Sequence, residues 1–198
     1  MSRVTGVVLA AGRSRRLGQP KQILPYRDST VLGETLRMAR RCGFDQLIVT
    51  LGGAAEEVRR EVSLDGAEAV VVDDPASGCA ASLRVAVERV DPASAGIVLL
   101  LGDQPGVTEV TVRRLIEAGA GESIAVCRYD DGVGHPFWLA RGLFGELTGL
   151  HGDKGVWKLI DSGRFDVLKV PVDGPVPLDV KAVRPARPEG RGSELTPG

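Results

Sequence analysis

Two short segments carry side chains that could act together on a phosphorylated ligand. Residues 10–21 form a loop that mixes glycines with cations. The cations are Arg13, Arg15, Arg16 and Lys21. The second segment is Gly-Asp-Gln-Pro, in which Asp103 follows the apolar run 97–101. Glycine lets backbone amides approach a ligand closely, cationic side chains bind phosphate oxygens, and a carboxylate can hold Mg²⁺. These residue types predict a site for a triphosphate and its metal ion.

Neither of two common phosphate loops accounts for the first segment. A Walker loop requires Gly-Lys-Ser/Thr five residues after its first glycine, whereas here Leu17 stands at that distance from Gly12 and is followed by Gly18 and Gln19. A dinucleotide fingerprint requires Gly-x-Gly, and Ser14 occupies the second glycine position. The missing fingerprint disfavours a dinucleotide-dependent oxidoreductase.

The elements that must position these segments alternate between two periodicities. Apolar runs predict strands over residues 4–9, 46–51, 69–72, 97–101, 124–127 and 165–170. Helical periodicity covers residues 31–41, 56–62, 80–90, 108–118, 141–147 and 154–161. This alternation predicts a three-layer, Rossmann-like α/β fold, with helices on both faces of a mostly parallel sheet. Ligands of such sheets bind at the carboxyl ends of the strands, where the loops after residues 9, 72 and 101 would meet.

Composition and charge argue against several classes of protein. The 198 residues suit one α/β domain, predicted over residues 1–180, and the composition of residues 181–198 predicts a disordered tail. A net charge of −1 gives no overall attraction for nucleic acid, and no apolar stretch is long enough to span a membrane. Three cysteines without a Cys-x-x-Cys pair, and no room for a signal peptide, predict a cytoplasmic protein with reduced thiols.

The first loop also carries a dense sequence pattern. From Leu9 to Lys21 the order is Leu-Ala-Ala-Gly-x-Ser-x-Arg-Leu-Gly-x-Pro-Lys. This pattern resembles the signature of MobA/MocA-type nucleotidyltransferases. The resemblance covers most of residues 4–180 and is strongest in the N-terminal half. It implies the nucleotidyltransferase fold. It also implies a Mg²⁺-dependent enzyme that transfers a nucleoside monophosphate from an NTP to a phosphorylated acceptor and releases pyrophosphate.

The resemblance implies roles for individual residues. Arg16 and Lys21 would contact the triphosphate and, with Asp103, form the catalytic set. Asp103 would also hold Mg²⁺, because Gly-Asp-Gln-Pro resembles the family's metal-binding segment. The residues implied to bind the nucleotide are Leu9, Ala10, Ala11, Gly12, Ser14, Arg16, Lys21, Gly78 and Ser82. The match at Gly78 and Ser82 is weaker, since small residues there also suit an ordinary helix cap.

Two further segments resemble the molybdenum cofactor cytidylyltransferase branch. Gly-His-Pro around His135 and Gly-Asp-x-Gly around Asp153 imply contacts with the acceptor. A surface histidine in a loop and an ordinary N-cap aspartate are the alternative interpretations. Leu-Ala-Ala-Gly, rather than Leu-Ala-Gly-Gly, is similar to the branch that uses CTP. The resemblance therefore implies CTP, a molybdopterin acceptor, and a molybdoenzyme or its maturation factor as a partner.

The pattern breaks near the C-terminus. The family places an Asp-x-Asp-Thr-Pro-type segment there, whereas this chain has Asp179 followed two positions later by Lys181. Asp179 fits the first acidic position and becomes a second candidate metal ligand, but a lysine repels a metal ion. Three alternatives to the CTP and molybdopterin hypothesis therefore stay open. They are GTP as donor, another acceptor such as a sugar phosphate or methylerythritol phosphate, and a catalytically weak nucleotide-binding regulator or chaperone.

Overall fold

The structure, a computed structural model, describes residues 2–12, 18–73, 78–152 and 154–180. Its strands are β1 (Arg3–Ala10), β2 (Pro25–Tyr26), β3 (Ser29–Thr30), β4 (Gln46–Leu51), β5 (Glu68–Val71), β6 (Ser94–Leu101), β7 (Ile124–Tyr129), β8 (Gly132–Ala140) and β9 (Val167–Pro171). Its α-helices are α1 (Val31–Arg41), α2 (Ala55–Glu61), α3 (Cys79–Val87), α4 (Glu109–Gly119), α5 (Phe144–Thr148) and α6 (Gly155–Ile160). Among these helices, none has the length and apolar character needed to cross a lipid bilayer. The predicted tail, residues 181–198, lies outside the described residues.

Seven of the described strands form one sheet in the order β5-β4-β1-β6-β8-β7-β9. The pairs β4–β5, β1–β4, β1–β6 and β7–β9 are parallel, and β8 runs antiparallel to its two neighbours. The prediction of a mostly parallel sheet is therefore confirmed. The parallel arrangement brings the ends of β1, β4, β5 and β6 to one edge of the sheet.

Two hydrophobic clusters, one on each face, confirm the three-layer prediction. Residues alternate between the faces along each strand, so that in β1 the side chain of Val8 enters one cluster and that of Val7 the other. The first cluster is completed by α1, α2 and α4. The second is completed by α3, α5 and α6.

Local signals correctly placed two helices of the first layer. The helix α1 ends before Gly43, whose φ of 74° is a left-handed conformation that glycine adopts readily. The helix α4 follows Thr108, whose hydroxyl accepts a hydrogen bond from the backbone N–H of Thr111 at 3.2 Å. Both helices agree with their predicted bounds to within one residue at each end.

The strand β8 was missed because it contains two glycines and a proline, which are poor strand formers. Its pairing with β7 shifts register between Val126 and Cys127, whose partners are Phe137 and Gly134. Pro136 falls within that irregularity, where a missing N–H does not break the ladder. The apolar side chains of Phe137, Trp138 and Leu139 are then buried in the interior of the protein.

The ends of β1 and β6 are held in direct contact. The backbone N–H of Gly102 donates to the carbonyl of Leu9 at 2.9 Å. A Cβ atom at Gly102 would lie 2.8 Å from Cβ of Ala10. Only glycine therefore allows the turn after β6 to approach the start of the first loop this closely.

Replacing Gly102 by Ala is expected to destabilise the protein by about 1–3 kcal/mol, the usual cost of overpacking a tight contact. Gly145→Ala is the matched control, because nothing lies within 4 Å of its added methyl group and it lies in α5. Urea unfolding of both variants provides the measurement. A Gly102→Ala protein as stable as Gly145→Ala would contradict the proposed close approach.

Candidate active site

An ion pair joins the two segments that the sequence analysis singled out. The Nζ atom of Lys21 lies 2.6 Å from Oδ2 of Asp103, although the residues are 82 positions apart. Their side chains are 21% and 33% exposed, so the pair is partly desolvated and still accessible. Lys21 begins a short 3₁₀ turn that ends at Ile23, and Asp103 follows the end of β6. The structure thus brings two of the three predicted catalytic residues into contact.

The next residue in the turn, Gln22, was missed by the sequence analysis. Its Nε2 atom donates to the carbonyl of Ala10 at 2.5 Å and to that of Gly12 at 3.2 Å. The side chain is buried, and its Oε1 atom has no hydrogen-bond partner among the described residues. The amide therefore draws two backbone carbonyls of the first loop inward. No local pattern distinguishes such a glutamine from one on the surface.

A cavity of about 390 Å³ opens beside this loop. One wall is formed by Ala10, Ala11, Gly12, Gln22 and the returning segment 18–20, and the opposite wall by Gly52, Gly53, Ala54 and Val58. A Cβ atom at Gly12 would meet nothing within 4 Å, so packing inside the protein does not demand glycine there. Small residues on both walls allow a flat ligand to approach the backbone closely. Gly52 and Gly53 had not been selected, although two glycines directly after a strand are a usable signal.

The segment 172–180, here called the C-terminal strap, carries Asp179 back to the turn that contains Asp103. The backbone N–H of Val180 donates to the carbonyl of Asp103 at 2.9 Å, and Nε2 of Gln104 donates to Oδ1 of Asp179 at 2.9 Å. A third hydrogen bond, 2.7 Å long, runs from the backbone N–H of Val176 to Oδ1 of Asp131. The strap thus brings the second candidate metal ligand to the same edge of the sheet.

A second cavity, of about 640 Å³, lies between the C-terminal strap and the start of α4. Its aromatic wall includes Tyr26 and Tyr129, and Thr108 and Thr111 contribute hydroxyl groups. Asp179 also lines this cavity, so the cavity opens beside one of the two predicted metal ligands. Its volume and mixed lining suit a small organic molecule.

His135 lies inside β8 and not in an exposed loop, so the interpretation as a surface histidine is wrong. Its ring stacks on Phe137 with 4.0 Å between centroids and meets the edge of Trp157 at 6.0 Å. Burial lowers the pKa of His135 to about 4, and the negative charge of Asp179 only partly opposes this shift. The imidazole is therefore neutral near pH 7 and carries no positive charge.

The remaining predicted residues fall into two groups. Gly78 precedes α3 with a φ of 84°, and Ser82 is buried one turn into that helix. The backbone N–H of Ala80 donates to the carbonyl of Gly152, which ties α3 to the loop before α6. Ser14, Arg16 and Asp153 lie outside the described residues. The residue that directly precedes α6 is Lys154.

The oxygen donors at this edge fit Mg²⁺. Asp103 is accessible, Asp179 is hydrogen-bonded to its neighbour Gln104, and both supply the hard carboxylate oxygens that this ion prefers. Within the described ranges, no group of three or more His, Cys, Asp or Glu side chains is placed to hold a metal ion. One or two carboxylates completed by substrate phosphates are a usual magnesium environment.

The chain matches a protein family and is similar to individual relatives. The sequence profile of the family described as MobA-like NTP transferase domain matches residues 6–167. Nicotine blue oxidoreductase from Paenarthrobacter nicotinovorans is 32% identical over 148 residues, which is 71% of this chain and 72% of that protein. The purine catabolism protein PucB from Bacillus subtilis is 31% identical over 173 residues, covering 81% of this chain and 82% of PucB.

Several solved structures are also similar to this chain in sequence and in fold. The crystal structure of Rv0371c from Mycobacterium tuberculosis H37Rv has 65% sequence identity and a TM-score of 0.87, covering 91% of this chain and 93% of that one. A second crystal structure of Rv0371c, in complex with manganese, has 63% identity and a TM-score of 0.84, covering 90% and 92% of the two chains. A nucleotidyl transferase from Methanothermobacter thermautotroptrophicus (Mth528) has 27% identity and a TM-score of 0.73, covering 89% of each chain, and this match confirms the nucleotidyltransferase fold.

The contacts of Gln22 generate a prediction about the first loop. Gln22→Met keeps the length of the side chain but removes the donor, which leaves the carbonyls of Ala10 and Gly12 without their partner. The expected loss of stability is about 1–3 kcal/mol, the cost of an unsatisfied buried polar group. Urea unfolding measures it, with Gln19→Met as the control, because Gln19 is an exposed residue of the same loop. Equal unfolding midpoints for the two variants would contradict the role given to the Gln22 amide.

Proposed function

Because the chain belongs to the MobA-like NTP transferase family and is a nucleotidyltransferase, we propose a specific reaction for it. The protein transfers CMP from CTP to the phosphate of a molybdopterin acceptor and releases pyrophosphate. The contact between Lys21 and Asp103 carries this proposal, since it joins a phosphate-binding cation to a metal-binding carboxylate at one edge of the sheet. The proposal includes a single catalytic domain over residues 1–180 and a cytoplasmic location.

The chemistry is an in-line displacement at the α-phosphorus of the NTP. An oxygen of the acceptor phosphate forms a bond to that phosphorus, while the bond to the bridging oxygen of pyrophosphate breaks. The acceptor phosphate is already ionised near pH 7, so no general base is needed. This fits the neutral, buried state of His135. Positioning and charge stabilisation then account for most of the rate enhancement.

Each charged residue has a separate task in this reaction. Lys21, with Arg16, binds the β- and γ-phosphates and stabilises the departing pyrophosphate. Asp103 and Asp179 would hold Mg²⁺, which when bound neutralises charge on the α-phosphate and the leaving group. The manganese complex of Rv0371c supports the use of a divalent metal in this branch.

The two cavities separate donor from acceptor. The cavity beside Gly12, which Ala10 and Ala11 line, receives the base and ribose, and we assign Gly78 and Ser82 at the start of α3 to the same nucleotide. The cavity between the C-terminal strap and α4 receives the body of the acceptor. His135 and Asp153 complete the acceptor side, where the imidazole acts as a neutral hydrogen-bonding group. Leu-Ala-Ala-Gly at residues 9–12 favours cytosine as the base.

Isothermal titration with CTP, GTP and ATP in the presence of Mg²⁺ tests the donor. We expect CTP to bind most tightly and, with molybdopterin as acceptor, to give metal-dependent pyrophosphate release.

Asp103→Asn should retain the fold and lose turnover by roughly 100-fold or more, the scale seen when a group that stabilises transition-state charge is removed. Tightest binding of GTP would overturn the base assignment, and wild-type rates in Asp103→Asn would overturn the role of Asp103.

A second candidate function is a nucleotide-binding regulator that turns over slowly, and Lys181 is the observation that favours it. Lys181→Asp restores the acidic residue typical of the family. For an active enzyme, we expect this substitution to leave pyrophosphate release within a few-fold of wild type. A large gain in turnover would instead indicate a decayed site. Lys169→Asp, on the exposed face of β9, controls for the change in net charge.

A further inference from the structure

The ion pair between Lys21 and Asp103 is fixed at both ends. Nζ of Lys21 lies 2.6 Å from Oδ2 of Asp103, one of the two oxygens that this carboxylate could offer to a metal ion. The turn that begins with Lys21 is held by the buried amide of Gln22, and the carbonyl of Asp103 is held by the N–H of Val180. Partial burial reduces the screening of the pair by salt. The contact therefore differs from an exposed ion pair between two mobile side chains.

We propose that Lys21 competes with a divalent cation for the carboxylate of Asp103, so that the cation binds together with the triphosphate and only weakly without it. The inference rests on the proposed function. An oxygen that ligates Mg²⁺ lies about 2.0–2.1 Å from the ion. An ammonium group in contact with that oxygen is repelled by the dication twice as strongly as by a single positive charge. Lys21 and the metal ion therefore disfavour each other at Asp103.

The second candidate ligand does not remove this conflict. Oδ1 of Asp179 accepts a hydrogen bond from Nε2 of Gln104, so both carboxylates already have a donor on one oxygen. Within the described ranges, no third acidic, His or Cys residue joins them in a metal-binding group. Without a triphosphate, the described residues thus offer few oxygens to a divalent cation, and one of these oxygens is held by a lysine.

A triphosphate changes both sides of the competition. Its oxygens accept hydrogen bonds from the ammonium group of Lys21, so that Oδ2 of Asp103 is released. Other oxygens of the triphosphate complete the coordination of the cation. The same ligand thus removes a competitor and adds metal ligands. Because coupling between two ligands is reciprocal, the cation must strengthen triphosphate binding by the same factor. Lys21 is therefore expected to bind phosphate when the triphosphate is present and to oppose metal binding at Asp103 when it is absent.

The experiment measures Mn²⁺ binding to the full chain by water-proton relaxation, with and without tripolyphosphate. A protein-free titration corrects for chelation by tripolyphosphate itself. We expect Lys21→Met to bind Mn²⁺ alone roughly 5- to 150-fold more tightly than wild type, the usual range of coupling between two sites. Tripolyphosphate should strengthen Mn²⁺ binding to wild type and much less to Lys21→Met. Lys169→Met, on the exposed face of β9, removes a lysine elsewhere and should behave as wild type.

Two outcomes overturn the inference. One is Mn²⁺ affinity in Lys21→Met equal to or below that of wild type. The other is Mn²⁺ binding that persists when Asp103→Asn is added to Lys21→Met. Lys21→Gln repeats the comparison should circular dichroism show that Lys21→Met does not fold.

Tripolyphosphate carries no base and undergoes no transfer, so coupling without nucleotidyl transfer would reject the proposed function alone. Transfer without a gain of Mn²⁺ affinity in Lys21→Met would reject this inference alone.

Discussion

The close contact between the ends of β1 and β6 is the constraint on which the rest of the site depends. Gly102 donates its N–H to Leu9, and its missing side chain leaves room for Ala10. This contact places the turn after β6 against the start of the first loop, and Lys21 then reaches Asp103 at 2.6 Å. A basic loop and an acidic turn, separated by 82 positions, become one charged site because two parallel strands end side by side.

Two glutamines organise the backbone around that pair, and neither carries charge. Gln22 holds two carbonyls of the first loop, and Gln104 holds the carboxylate of Asp179 on the C-terminal strap. Each is buried and leaves its own Oε1 without a partner among the described residues. The hydrogen bonds donated by the two Nε2 atoms therefore hold the first loop and the C-terminal strap in place. Uncharged side chains thus support the geometry of both charged segments.

Particular elements show how far the sequence could predict the fold. The helices α1 and α4 were predicted closely because their caps and apolar periodicity are local signals. The strand β8 was missed because glycine and proline disfavour a strand, and it forms only through its pairing with β6 and β7. His135 was misplaced for the same reason, since a residue assigned to a loop is buried once that strand enters the sheet. Gln22 was missed because its partners, two backbone carbonyls, leave no trace in residue type.

The sequence by itself determined the three-layer class, the edge of the sheet where the candidate site lies, and the two segments that supply its charges. These follow from residue periodicity and from side-chain chemistry, which are properties of short stretches of chain. Only the tertiary structure decided that Lys21 meets Asp103, that the C-terminal strap delivers Asp179 to the same turn, and that His135 is neutral. Those outcomes depend on distances between residues far apart in the chain and on exclusion of water, and neither quantity is encoded in any local pattern.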